Sequence, residues 1–311
     1  MKIPFERTVA SAYRFAFANI LSVFGVAWFP YLLLAAAVSG VAYLYAPQVL
    51  LVMHAMQAKA KPDPAQLQAL LAAVAPVYVI ILPAALITSA IVTVGNTRKA
   101  LGLHPGPVFF FFSLGSQVWL LIAAYILVVI LFYGLAIACG VVGVTISVLA
   151  QHNAPRLALP ATILWGLIAA CFCIYAVVRT IFFLPAIVVA QDRIALWRSW
   201  RLGRGNFWRI VGIGLLMTIP AALATSILTS TVVQIFLGPS FGLPTAANMS
   251  AEGQAVARTM LSAFAKAAPY YVAIQFVGMA MMNGLNAGAI ASAYRSVTEG
   301  DIASPALKGS A

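Results

Sequence analysis

The sequence predicts an all-α integral membrane protein with six transmembrane helices, and three observations predict it. Mean hydropathy is +1.01, with 63% of the 311 residues apolar and 8% charged, whereas soluble domains carry about 45–50% apolar residues. Apolar runs long enough to cross roughly 30 Å of hydrocarbon as helices recur along the chain. The strict alternation of a transmembrane barrel strand is absent from those runs.

The spans fall at residues 20–45, 76–95, 118–149, 159–180, 209–237 and 269–292. Lys2, Arg7 and Arg14 precede a first apolar run of full length, which reads as a retained span rather than a cleaved leader. Before the second span, Asp63 and Pro64 form a helix start, an acid at the N-cap followed by proline at the first helical position. Leu67, Leu70, Leu71 and Val74 then share one face, as expected of a short amphipathic helix on the outer leaflet. Pro105 and Pro107 forbid a helix just before the third span and leave Phe109, Phe110, Phe111 and Phe112 at the inner interface. The third span is long enough to tilt or to project beyond the bilayer. A second outer amphipathic helix is expected from near Ser250, with Met260, Leu261 and Phe264 on one face. From Glu299 the tail is short and polar and reads as disordered.

The net charge of +12 comes from 18 basic residues against 6 acidic ones. Thirteen of the basic residues fall on the side of the N-terminus and five on the other. That bias predicts both termini in the cytoplasm of a bacterial-type inner membrane. It also points to membrane lipids as partners, anionic ones included. Nucleic acid is not expected, because the aromatics near the basic residues do not alternate as a stacking platform would.

An internal echo suggests duplication. Ala12-Tyr13-Arg14-Phe15 aligns with Ser199-Trp200-Arg201-Leu202, and the same offset of 187 pairs Asn19 with Asn206 and Gly25 with Gly212. Ala75-Pro76-Val77-Tyr78 aligns with Ala268-Pro269-Tyr270-Tyr271 at an offset of 193. Two matches in the same order predict a parallel repeat in which spans 1–2 and 5–6 flank a central hairpin of spans 3–4. The expected units are residues 1–95, 96–180 and 181–298, followed by the tail 299–311.

No catalytic constellation can be assembled. The acids Glu6, Asp63, Asp192, Glu252, Glu299 and Asp301 all read as loop or tail residues, and acid–base work needs two positioned titratable groups. His54, His104 and His152 have no partner at ligand spacing, so no metal and no cofactor is expected. Cys139, Cys171 and Cys173 read as small buried hydrophobes.

Two sets of residues remain as site candidates. The segment 195–210 concentrates Arg198, Arg201, Arg204 and Arg209 with Trp197, Trp200 and Trp208, half of the six tryptophans in the chain. Tryptophan belongs at headgroup depth, and arginine forks bind phosphate bidentately. These seven residues form a candidate lipid-headgroup site. Thr88, Ser89 and Thr93 with Gln275, Asn283 and Asn286 form a candidate polar seam or substrate path. Gly284 and Gly288 beside them permit close helix approach.

Arg179-x4-Leu184-Pro185-Ala186, with Arg198-Ser199-Trp200-Arg201-Leu202 and Gly205-Asn206-Phe207-Trp208-Arg209, resembles a broad group of bacterial six-span membrane proteins. That group includes the membrane domain fused to glycerophosphodiester phosphodiesterases and the YciC-like inner-membrane proteins. The resemblance implies an architecture and no activity, and no catalytic residue carries over. The expectation is a non-enzymatic membrane protein that binds or organises lipid or scaffolds a membrane-protein partner. The alternative is a transporter or channel for a small uncharged or apolar solute.

Overall fold

The computed structural model describes residues 2–57, 64–104, 106–237 and 252–303, and the described residues contain helices and turns but no strand. The helices are α1 Phe5–Ala18, α2 Ile20–Gln57, α3 Pro64–Ala100, α4 Ser116–Asn153, α5 Pro155–Ile181, α6 Leu184–Gln191, α7 Leu196–Leu202, α8 Phe207–Leu237 and α9 Glu252–Ala303. Among the described residues, five segments are long and apolar enough to cross a membrane: Ile20–Tyr45, Leu70–Ala100, Ser116–Asn153, Pro155–Gln191 and Phe207–Phe236. Their outward faces carry Val79, Ile137, Val144, Leu167 and Ile227 in the open. Water does not tolerate an apolar belt of that extent on a soluble protein, and lipid does. This is a multi-pass membrane protein.

The sixth expected segment, 269–292, is helical throughout within α9 but is not among those five. Tyr270, Tyr271, Gln275, Asn283 and Asn286 dilute its apolar run.

Two expected interfacial helices do not exist as separate elements. The segment from Pro64 continues into the second span as one helix, α3, straight through Pro76 and Pro83. The segment after Ser250 likewise continues as α9 through Pro269 to Ala303. Proline removes one backbone donor, and that loss does not outweigh the remaining ladder of a long helix whose flanks are supported by neighbours. Leu70 and Val74 are half-buried and Leu71 is exposed. Asp63 and the side chains of Leu67, Met260, Leu261 and Phe264 lie outside the described residues. Glu299–Ala303, expected in a disordered tail, extend α9. The expected boundary at residue 95 falls inside α3.

The long helices pack as antiparallel neighbours, α2 with α3, α4 with α5 and α8 with α9. Short α1 lies on α9 and α8. At one end of the bundle the ends of these elements are tied together. Ile3 N donates to Asn206 Oδ1 at 2.9 Å, Arg209 Nη1 to the Ile3 carbonyl at 2.6 Å, and Gln191 Nε2 to Tyr294 Oη at 2.8 Å. The N-terminal residues and the last turns of α9 therefore sit at the same end.

The core at that end is organised by α6. Phe183, Ala186 and Ile187 pack into one cluster with α1, α8 and α9, and Leu184, Val188 and Val189 into another with α3 and α4. A helix that is apolar all round must be enclosed on every side, and Leu184, Pro185, Ala186, Ile187, Val188 and Val189 are all buried. α6 stops at Asp192, whose φ of 50° is left-handed, a conformation aspartate tolerates better than most residues. Its carboxylate accepts a hydrogen bond from Ser116 Oγ at 3.0 Å, at the positive end of the α4 dipole.

Candidate functional site

The arginine–tryptophan segment folds as a short helix, a turn and a long helix. α7 ends at Leu202, Gly205 takes a φ of 74°, and α8 begins at Phe207. Only glycine adopts that φ without cost. Asn206 is buried and receives the Ile3 amide on its side-chain oxygen.

What holds α7 in place is Arg179, which is 4% exposed at the end of α5. Its Nη1 donates to Tyr175 Oη at 2.6 Å and its Nη2 to the Trp200 carbonyl at 2.8 Å. Its guanidinium carbon lies 3.9 Å from the Trp200 ring centroid, a cation–π stack in a dry site. Ser199 Oγ adds a bond to the Thr180 carbonyl at 2.6 Å. A β-carbon on Gly203 would lie 3.2 Å from the Arg179 carbonyl oxygen, so the turn is closely seated on α5. A cation in the last turn of α5 also meets the negative end of that helix.

The seven residues expected to form a headgroup site therefore divide. Trp200 is committed to Arg179, and Arg209 to the Ile3 backbone. Trp197 and Trp208 remain 69% and 79% exposed. Arg201 and Arg204 are exposed and Arg198 is half-buried. None of these three has a hydrogen-bond or ion-pair partner among the described residues. The structure provides an anchored helix, α7, with Trp197, Arg198 and Arg201 along it, Arg204 in the turn that follows and Trp208 at the start of α8 beside the Phe207 ring. Arg179, grouped with the surface cations by sequence, is instead the internal clamp. Its signal was present: it lies at the end of an apolar run, four residues after Tyr175.

The polar-seam residues are not gathered into one path. Asn283 Nδ2 donates to Tyr31 Oη at 2.9 Å, joining α9 to α2. Gln275 Nε2 meets Thr229 Oγ1 at 3.4 Å, joining α9 to α8. Thr93 lies beside the Tyr125 hydroxyl where α3 meets α4. Thr88 is buried, Asn286 is half-buried and Ser89 faces outward. Side-chain amides and hydroxyls used pairwise at separate helix contacts act as interhelical ties. Gly284 and Gly288 set the packing distance: a β-carbon would lie 2.8 Å from Val23 Cγ1 at the first and 3.0 Å from Ala12 Cα at the second.

The three cysteines are not equivalent. Cys173 is buried and Cys139 half-buried, but Cys171 is exposed on the outer face of α5. Cysteines two apart on a helix point to different sides. Cys139 and Cys173 line the same groove between α4 and α5, a proximity that sequence spacing does not reveal. No group of three or more His, Cys, Asp or Glu is arranged to hold a metal among the described residues.

A cavity of about 460 Å³ lies at the same end of the bundle, between α1 and the last turns of α9. Arg7, Ser11 and Arg14 form one wall and Ser292, Arg295 and Ser296 the other. A second, apolar groove of about 430 Å³ lies between α8 and α9 beside Tyr13 and Phe17. No family model, curated protein or solved structure matches this chain.

Proposed function

We propose that the protein is a non-enzymatic, six-span inner-membrane protein with both termini in the cytoplasm. Its basic end binds and organises anionic lipid, or presents that surface to a membrane partner. The observation that carries this reading is α7, held across the end of α5 by Arg179 while Trp197, Trp208, Arg201 and Arg204 stay exposed. Tryptophan rings at headgroup depth and arginine forks beside them suit an anionic lipid surface.

A parallel duplication is part of the proposal. Asn19 and Asn206 occupy equivalent positions between a short helix and a long one. Asn19 Nδ2 donates to the Phe15 carbonyl at 3.1 Å and Asn206 Nδ2 to the Leu202 carbonyl at 3.4 Å. Phe15 and Leu202 are themselves aligned in the repeat. Gly25 and Gly212, also aligned, both stand where a β-carbon would clash, with the Val108 carbonyl and the Phe5 ring respectively.

The test is native mass spectrometry of the protein extracted with its own lipids. Wild type is compared with a variant carrying Arg198→Gln, Arg201→Gln and Arg204→Gln, after size exclusion shows both to be folded. Anionic lipid retained by wild type and lost by the variant is the expected result. Equal retention in both reduces these arginines to topology anchors and moves attention to solute flux in liposomes.

A further inference from the structure

We infer that the cavity between α1 and α9 is a binding site for a phosphate group. This site is separate from the α7 surface and does not depend on it. On α1, Arg7, Ser11 and Arg14 fall at i, i+4 and i+7 and so line one stripe of the helix. On α9, Ser292, Arg295 and Ser296 form the facing stripe. Three arginines and three serines thus line one concavity, and no carboxylate lines it. Arg7 and Arg14 have no hydrogen-bond or ion-pair partner among the described residues. Arg295 gives Nη2 to the Ala100 carbonyl at 2.7 Å, which fixes its position and leaves its other donors available.

Like charges gathered without a counter-ion repel one another, and an anion placed between them removes that penalty. Arginines that serve only to orient a membrane protein need no concave wall and no hydroxyls, because a solvated cation on any loop suffices. Here the Ser11 and Ser292 hydroxyls supply neutral donors beside the forks, the mixture that phosphate oxygens accept, while Ser296 Oγ donates to the Ala293 carbonyl at 2.8 Å. The wall is also set by packing. Gly288 brings α9 onto Ala12 and Phe15 of α1, and larger residues there would spread the walls apart. One turn along α3 from the wall residue Ala100, buried Asn96 Nδ2 and Oδ1 and Thr97 Oγ1 have no hydrogen-bond partner among the described residues. Such atoms are costly when buried dry.

Phosphate reaches such a site either as a lipid headgroup or as a soluble phosphate ester, and two arms separate these sources. In the first, protein in nanodiscs of phosphatidylglycerol or phosphatidylcholine is released and weighed for retained lipid. In the second, thermal stabilisation by glycerol 3-phosphate is measured in detergent at constant ionic strength. Each arm compares wild type with R7Q/R14Q, with the charge-keeping R7K/R14K, with the cavity-filling Ser11→Phe and with the triple glutamine variant of α7. The site predicts binding in at least one arm. That binding weakens about ten-fold or more in R7Q/R14Q, is lost in Ser11→Phe, is reduced in R7K/R14K and is unchanged in the α7 variant. A positive first arm makes the ligand a lipid, and a positive second arm a soluble ester. Equal loss in R7Q/R14Q and the α7 variant, with Ser11→Phe unaffected, overturns the site in favour of general charge attraction. Absence of binding in both arms overturns it outright.

Discussion

Arg179 shows how much one side chain decides. A guanidinium that is 4% exposed normally needs a carboxylate. Here it has a tyrosine hydroxyl, a backbone carbonyl and the face of Trp200 instead. Its full charge is spread over a plane that can stack and donate at once, which lysine cannot reproduce. Arg179→Ala leaves the Trp200 carbonyl and Tyr175 hydroxyl without their donor and removes the stack, at an expected cost of about 3 kcal/mol. Arg179→Lys is expected to recover less than half of it. Thermal unfolding in detergent reads both. Limited proteolysis near Arg198 and Arg201 should show α7 released in each. Equal melting of all three proteins would show that the clamp contributes nothing.

At the scale of elements, the segment after α3 is the instructive one. Residues 106–115 form no helix, as Pro107 requires, and the segment lies against α2. Val108 N donates to Ser22 Oγ at 3.1 Å, and the Phe109 carbonyl accepts Trp28 Nε1 at 3.0 Å. Lys99 Nζ also donates to the Gly106 carbonyl. Non-helical backbone beside a membrane helix persists only where its polar groups find partners such as these. The Phe110 ring packs on Trp28 and Phe29, at centroid distances of 5.9 and 5.0 Å. Close approach depends on Gly25, where a β-carbon would stand 2.0 Å from the Val108 carbonyl oxygen. Because that obstacle is backbone, it cannot rotate away. Gly25→Ala should cost about 1–3 kcal/mol and should lift Trp28 out of its contact, visible as a shift in tryptophan emission. Gly40→Ala, which meets nothing within 4 Å, is the control and should be silent in both measurements.

For the whole molecule, the question is how the basic end faces the membrane. Lys2, Arg7, Arg14, Arg98, Lys99 and the arginines of α7 and its flanks share that end with Arg295, while Arg156 and Lys266 lie at the other. The positive-inside rule predicts that the crowded end faces the cytoplasm. Reporters fused at residue 311 and ahead of Met1 should both report cytoplasm. A cysteine replacing Arg156 in a background without native cysteines should label from outside. Labelling of that cysteine only after the membrane is opened would reverse the orientation. It would also move both proposed anion-binding surfaces to the outer face.

The sequence by itself determined the solvent this chain requires, because hydropathy sums over residues regardless of how they pack. It also determined the main apolar runs and the turn at Gly205, which follow from local backbone chemistry. It determined which end is basic, since loop charge is counted along the chain. The tertiary structure decided what each cation does. Arg209 and Arg179 turn inward, and Arg7 and Arg14 meet Arg295 from almost the whole length of the chain away. That assignment depends on which helix lies beside which, a non-local fact that periodicity does not encode. The same is true of the polar residues in the spans. Composition flagged Asn283, Gln275 and Thr93, but only packing showed three separate helix contacts in place of one path. Proline was misleading for the same reason. Pro76 and Pro269 read as boundaries when judged by local propensity, and long helices supported by their neighbours ran through both.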